Sequence, residues 1–222
     1  AMERSAGGGE DWYNGAFVVT PDRGLQAEYY AKRRLVPFGE FVPLRFLLGW
    51  LEQVVPVGGD FTPGTSAAPL SVPVRGESLA VGALICYEDI YPALSRDEVR
   101  ADASALVVLT NNGWFGEGGA AYQHAANSVL RAVEMRRPVL RDGNGGWSGW
   151  IDEFGSIRAN LVNDEGTIYF RGTWTYNVTR DVRWTGKLSY YAEHGDWFVA
   201  VSAVLALFAF ALLRVSRPEE KM

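Results

Sequence analysis

A single cysteine, Cys86, lies between an apolar run and a helical stretch. Residues 78–85 are apolar and predict a buried strand, and residues 90–94 predict the start of a helix. A thiol at such a junction is exposed at a sheet edge, where the N–H groups of the following turn favour a thiolate and can receive an oxyanion. The position therefore predicts a nucleophile, although a lone cysteine is also often a small hydrophobic residue of a core.

A second candidate group lies upstream, in a segment that Pro37 and Pro43 make stiff. The 222-residue chain has 18 arginines but only three lysines, one of which is Lys32. An ammonium is a compact charge with an adjustable pKa and a guanidinium is not, so a lysine kept in this arginine-rich chain indicates a chemical role. Glu40 follows eight residues later. The alternative for Lys32 is an exposed basic turn.

Composition argues against several classes of function. A net charge of −5 without a long basic run makes a nucleic-acid partner improbable. One cysteine excludes an internal disulfide, and 48% apolar residues are ample for a core. His124 and His194 are too far from each other and from Cys86 for a zinc site, and no glycine-rich phosphate-binding motif is present. Neither a metal nor another cofactor is therefore predicted.

Strand and helix patterns alternate along the chain without internal repeats, which predicts an α/β layered domain. Residues 44–55 predict a helix so rich in large apolar side chains that it is either part of the core or a membrane-facing arm, and residues 56–71 predict a long loop. Further strands are predicted at residues 13–20, 25–31, 103–110, 138–141, 147–152, 156–162 and 168–179, and a further helix at residues 121–136.

The end of the sequence contains a second kind of apolar segment. Residues 197–213 are 17 residues without a charge, which as a helix would be about 26 Å long, near the lower limit for crossing a bilayer. A buried core helix is the alternative, but a core helix of this length usually shows a polar stripe. Arg214, Arg217 and Lys221 follow the segment, so we expect the C-terminus to be cytoplasmic and residues 1–196 to lie on the far side of the membrane.

Seven blocks of sequence together resemble the carbon–nitrogen hydrolase, or nitrilase, superfamily, and most closely its membrane branch, apolipoprotein N-acyltransferase. The resemblance covers most of residues 12–213, and the blocks occur in the family's order. They are residues 30–32, 35–40, 85–88, 110–116, 122–124, 131–134 and 137–141.

The resemblance implies a fold and a set of boundaries. It implies an α-β-β-α sandwich, incomplete at its N-terminus and followed by one transmembrane helix. The expected segments are a flexible N-terminal segment at residues 1–11, a partial catalytic domain at 12–192, the transmembrane helix at 197–213 and a cytoplasmic tail at 214–222.

The resemblance also implies roles for single residues. Cys86 would be the nucleophile, Lys32 the oxyanion and proton partner, and Glu40 an orienting carboxylate. Tyr87 would supply an N–H group beside the nucleophile. Glu88 matches a family position near the site, and its alternative role is to complement the positive end of a helix. Trp114 and Phe115 would form a mobile loop that controls access of an acyl chain, or else a core aromatic pair.

The activity implied is transfer of a fatty acyl group from a membrane phospholipid to the N-terminal amine of a diacylglyceryl-cysteine apolipoprotein, at the bacterial inner membrane with the catalytic domain on its periplasmic side. The family's general-base glutamate is the main departure, because only Glu3 and Glu10 precede residue 12 and neither lies in a matching segment. We therefore expect the chain to start inside the domain and to be inactive alone. A membrane-anchored amidase or nitrilase and a non-catalytic remnant stay open as alternatives.

Overall fold

The computed structural model describes residues 2–4, 10–50 and 61–215 of the chain. Strands and helices alternate, as the sequence predicts, between residues 77 and 144, and four strands in succession precede the first helix. The strands are β1 (Met2–Arg4), β2 (Glu10–Trp12), β3 (Gly15–Thr20), β4 (Gly24–Ala31), β5 (Leu70–Val74), β6 (Glu77–Ile85), β7 (Ala105–Asn111), β8 (Val139–Asn144), β9 (Gly149–Ile151) and β10 (Ile157–Asn160). The helices are α1 (Arg45–Leu48), α2 (Pro92–Arg100), α3 (Gly119–Met135), α4 (Tyr190–His194) and α5 (Trp197–Val215).

The central element is a mixed six-stranded sheet with the order β10-β9-β8-β7-β6-β5. Strands β6, β7 and β8 are parallel, because α2 and α3 carry the chain back between them, whereas the outer pairs are antiparallel. The carboxyl ends of β6, β7 and β8 therefore meet at one edge of the sheet. That edge is where ligands bind in sheets of this kind.

Alternate side chains of the parallel strands enter two different cores. Leu84, Leu106 and Val108 belong to the cluster that packs against α2 and α3. Ala83 and Ile85 belong to a second cluster, which includes residues of the hairpin formed by β3 and β4. The alternation follows from the period of two along a strand, and it gives the sheet a helical layer on one face and the hairpin on the other.

Most predicted elements are present within a few residues, and one is wrong. Residues 168–179 are not in a strand, although Ile168 is buried and Tyr169 packs against the helix-side core. Residue types that favour strands fit a half-buried sheet surface, but a segment forms a strand only where a neighbouring strand is available to pair with it. The pairing of β1 with β2 was not predicted, and residues 5–9 between them lie outside the described residues.

Two apolar segments lie on the surface of the described structure. The predicted helix at residues 44–55 is seen as the four-residue α1 followed by Gly49 and Trp50, while residues 51–60 lie outside the described residues. Phe46 on α1 is 90% exposed, which agrees with an arm and not with a core helix. Helix α5 contains an 18-residue window, Trp197–Arg214, of mean hydropathy 2.2, and none of it is buried among the described residues. By length and composition α5 can cross a membrane, and it is not a core helix of the described structure.

Candidate active site

Cys86 follows the last residue of β6 and begins a 3₁₀ turn, Cys86–Ile90, that leads into α2. Its φ angle is 58°, in the left-handed region that residues with a side chain rarely adopt. The cysteine is half-buried and packs beside the hairpin-side core. Non-glycine residues held in this conformation cluster at functional sites, where the surrounding structure has to stabilise them.

Lys32 lies directly after β4 and is only 1% exposed, so the alternative of an exposed basic turn is wrong. Its Nζ donates hydrogen bonds to both carboxylate oxygens of Glu40, at 2.9 and 2.8 Å. The same Nζ lies 5.2 Å from the centre of the Tyr87 ring. Because Tyr87 is the residue after Cys86, the structure places the lysine ammonium beside the turn that carries the cysteine.

Glu40 has further donors that hold its carboxylate in place. Its Oε1 accepts a hydrogen bond from Asn14 Nδ2 at 2.9 Å, and its Oε2 accepts one from the Val36 N–H at 2.8 Å. A carboxylate with several donors has one orientation, and it fixes the ammonium in turn. The sequence analysis missed Asn14, since nothing in the pattern links an asparagine before β3 to a carboxylate 26 residues away.

Glu88 joins the lysine segment to the cysteine turn. It is buried, and its Oε1 accepts hydrogen bonds from the N–H groups of Arg33 and Arg34 at 2.7 and 2.9 Å. Its Oε2 accepts from Tyr30 Oη at 3.0 Å and from the Ile85 N–H at 2.8 Å. Burial raises the pKa of Glu88, and the backbone hydrogen bonds oppose that rise. The bonds to Tyr30, Arg33 and Arg34 around Lys32, and to Ile85 directly before Cys86, give Glu88 a role beyond complementing a helix end.

Trp114 and Phe115 belong to a 3₁₀ turn, Gly113–Phe115, which Asn112 separates from the end of β7. Trp114 is 85% exposed and Phe115 is also exposed, so the alternative of a core aromatic pair is wrong. Both residues lie at the edge where the carboxyl ends of β6 and β7 meet, which is the edge that Cys86 occupies.

Beneath the Cys86 turn lies a polar network that the sequence analysis missed. Asp89, which is buried, accepts hydrogen bonds from Arg141 Nη1 at 2.5 Å and from Ser128 Oγ at 2.8 Å. His124 Nε2 lies 3.1 Å from the other Asp89 oxygen. The one available signal was Arg141 directly after the apolar pair Val139 and Leu140 of a predicted strand, because charged residues are rarely fully buried without a partner.

Together these groups suit acyl transfer. A half-buried thiol, a buried ammonium held by a carboxylate and a run of turn N–H groups are the parts needed to form a tetrahedral intermediate on sulfur and to hold its oxyanion. Glu3, in contrast, is exposed and accepts a hydrogen bond from Tyr29 Oη at 2.5 Å. Glu10 is an exposed residue of β2.

The sequence model of the family described as Carbon-nitrogen hydrolase matches residues 1–174 of this chain. The chain belongs to the carbon–nitrogen hydrolase family. The match confirms the resemblance and the fold class predicted from the sequence, a nitrilase-superfamily fold with a mixed α/β sheet.

Several relatives of this carbon–nitrogen hydrolase chain are named apolipoprotein N-acyltransferase. The protein of that name from Geobacter metallireducens is 38% identical over 203 residues, which are 90% of this chain and 36% of the relative. The Brucella melitensis protein is 40% identical, covering 73% of this chain and 30% of the relative, and the Chlorobaculum tepidum protein is 32% identical, covering 89% and 37%. The chain thus spans about a third of the length of these relatives.

Proposed function

We propose that this chain carries the acyl-transfer centre of a membrane enzyme that moves a fatty acyl group from a phospholipid to the N-terminal amine of a diacylglyceryl-cysteine lipoprotein. The observation that carries the proposal is the buried Lys32 ammonium, which pairs with Glu40 and lies 5.2 Å from the centre of the Tyr87 ring, next to the chain's one cysteine. The name shared by the relatives supplies the substrate class.

In this proposal Cys86 attacks the ester carbonyl of the phospholipid as a thiolate. The oxyanion that forms is held by the Lys32 ammonium and the Tyr87 N–H, and Glu40 keeps the ammonium oriented. Collapse breaks the ester C–O bond, and the departing lysophospholipid alcohol takes up the proton that the thiol lost. The lipoprotein amine then attacks the thioester, which forms the amide and returns the thiol. The base that takes the thiol proton is a further carboxylate, and neither Glu3 nor Glu10 is proposed for it.

The exposed apolar segments support a location at the bilayer. Helix α5 is apolar along its whole length and ends at Arg214 and Val215, so we infer that it spans the inner membrane with residues 214–222 in the cytoplasm. The catalytic domain then lies on the periplasmic side. Phe46 and Trp114 are exposed large side chains that suit contact with lipid, and a loop bearing Trp114 and Phe115 suits control of acyl-chain access.

The test compares two reactions in membranes that contain the full-length protein. The donor is a phospholipid labelled in its acyl chain, and the acceptor is a diacylglyceryl lipopeptide with a free N-terminal amine. We expect labelled N-acyl lipopeptide from the wild type and none from Cys86→Ala. Release of ammonia from small amides without N-acylation would instead establish an amidase. Absence of both reactions in folded protein would establish a non-catalytic role.

A further inference from the structure

Arg141 is a buried cation, and some of its hydrogen-bond donors have no partner among the described residues. It lies on β8, and its side chain has no exposed surface. Its Nη1 donates to Asp89 Oδ2 at 2.5 Å and to Ser128 Oγ at 2.9 Å. Its Nε and Nη2 are buried and have no hydrogen-bond partner among the residues that the structure describes. Buried donors are almost always satisfied in proteins, so two free ones on a single guanidinium require an explanation.

The partner of Arg141 belongs to the cysteine turn. Asp89 is three residues after Cys86 in the same 3₁₀ turn, and three side chains converge on its carboxylate: Arg141, Ser128 and His124. Its backbone carbonyl accepts a further hydrogen bond from Arg131 Nη1 at 3.0 Å. The turn is therefore attached to both α3 and β8, and this attachment can hold Cys86 at its positive φ.

Arg141 and Asp89 form an ion pair whose side chains have no exposed surface. Burial lowers the pKa of the Arg141 guanidinium, and the pairing with Asp89 opposes that fall. An arginine remains charged at neutral pH even when buried. A fixed positive charge in such surroundings is screened far less than in water.

We propose that Arg141 is a positioning residue of the acyl-transfer site: through its hydrogen bond to Asp89 it holds the turn that carries Cys86. The proposal rests on the function proposed above. The charged or titratable groups around the turn also include Tyr87 and Glu88 within it, Tyr30 and the Lys32–Glu40 pair on the side of β4, and His124 and Arg131 on α3.

The chain offers a direct readout, because Cys86 is its only cysteine and iodoacetamide reacts with the thiolate. We would measure the alkylation rate of the Cys86 peptide at pH 7 by mass spectrometry, in the full-length protein, for the wild type, Arg141→Gln, Arg141→Lys and Asp89→Asn. Arg137→Gln is the matched control. Arg137 is also a buried arginine, but it donates to the carbonyls of Ala103 and Lys187 and not to the Cys86 turn.

Arg141→Gln should slow alkylation at pH 7 about tenfold, because Asp89 loses the donor that holds the turn in place. Asp89→Asn should also slow it. Arg141→Lys should restore part of the rate, because an ammonium can still donate to the Asp89 carboxylate, and Arg137→Gln should leave the rate unchanged. Wild-type alkylation in Arg141→Gln, or equal effects of Arg141→Gln and Arg137→Gln, would overturn the proposal. Thermal unfolding followed by tryptophan fluorescence checks that each variant is folded.

The alkylation assay contains neither phospholipid nor lipopeptide, so it separates this inference from the proposed function. A wild type that alkylates as expected but transfers no acyl group would count against the function alone. A wild type that transfers acyl groups while Arg141→Gln alkylates normally would count against Arg141 alone.

Discussion

At the level of single residues, the candidate site contains buried charges that each have a partner. Lys32 is held by Glu40, and Asp89 is held by Arg141. A buried charge without its partner is strongly destabilising, so these pairs cannot be separated without cost. Each pair also touches the Cys86 turn, Lys32 through the Tyr87 ring and Asp89 as part of the turn itself.

Replacing Lys32 with arginine should reduce acyl transfer by about a hundredfold or more, the range found when one oxyanion donor is lost. The guanidinium is larger and planar, and it does not give up its proton, so it cannot occupy the site beside Glu40 as a compact ammonium does. The measurement is the rate of N-acyl lipopeptide formation by the full-length protein in membranes. Lys187→Arg is the matched control, since Lys187 is exposed. Near-normal transfer by Lys32→Arg would show that Lys32 has no role in the chemistry.

The burial of Glu98 leads to a prediction about how the stability of the protein depends on pH. It is buried on α2, and neither carboxylate oxygen has a hydrogen-bond partner among the described residues. Burial raises its pKa from 4.5 to about 8. The native state therefore keeps this proton at pH values where the unfolded chain has lost it, so stability should fall as the pH rises. The slope for this one group is about 1.4 kcal/mol per pH unit between its two pKa values.

Glu98→Gln should remove the contribution of Glu98 to the fall of the unfolding free energy with pH between pH 5 and about pH 8. The measurement is the free energy of unfolding at several pH values in detergent, with the exposed Glu28→Gln as control. Parallel curves for the wild type and Glu98→Gln would show that Glu98 is ionised in the native state. The raised pKa values of Glu88 and Glu134, both also due to burial, should leave a residual slope in the variant.

Rare residue types made part of the site predictable. Cys86 is unique in the chain and Lys32 is one of three lysines, so both could be selected from the sequence. Asn14 and the Asp89–Arg141 pair could not, because common residue types meet there across 26 and 52 positions of the chain. Which distant polar groups pair depends on strand register and helix packing, and no local pattern encodes these.

At the level of elements, α2 packs so closely on β6 that only glycine fits between them. A Cβ atom added at Gly82 would lie 2.8 Å from Glu98 Cβ and 2.9 Å from Leu106 Cδ2. Gly82→Ala should therefore destabilise the protein by about 1–3 kcal/mol, as overpacking of a core does. Gly119→Ala is the control, since nothing lies within 4 Å of its added Cβ. Equal free energies of unfolding for the two variants would contradict this packing.

The spacing of apolar residues predicted those strands and helices that have one or both faces buried in a core. The apolar runs of β6 and β7 and the spaced apolar residues of α3 gave strands and a helix close to those observed. Residues 168–179 failed, because they have strand-forming composition but are paired with no strand of the described structure. A strand needs a neighbour, and the sequence of one segment says nothing about whether a neighbour is available.

At the level of the whole molecule, the chain that carries the candidate site also carries the exposed apolar helix α5. If α5 spans the inner membrane as proposed, the C-terminus is cytoplasmic, because Arg214 lies in the last turn of the helix and Arg217 and Lys221 follow it in the sequence. A reporter that works only in the cytoplasm should be active when fused after Met222, and a reporter that works only in the periplasm should be inactive there. The protein should also resist extraction from membranes by alkaline carbonate. Activity of a periplasm-dependent reporter would reverse the orientation, and complete release by carbonate would exclude a membrane-spanning helix.

The central claim, that acyl transfer passes through Cys86, is tested most directly by mass spectrometry of the cysteine peptide. Membranes holding the full-length protein are incubated with phospholipid and no acceptor, so that the thioester accumulates. We predict one acyl chain on the Cys86 peptide, removable by hydroxylamine and absent from Cys86→Ala. An adduct that persists in Cys86→Ala, or that maps to another residue, would contradict the claim.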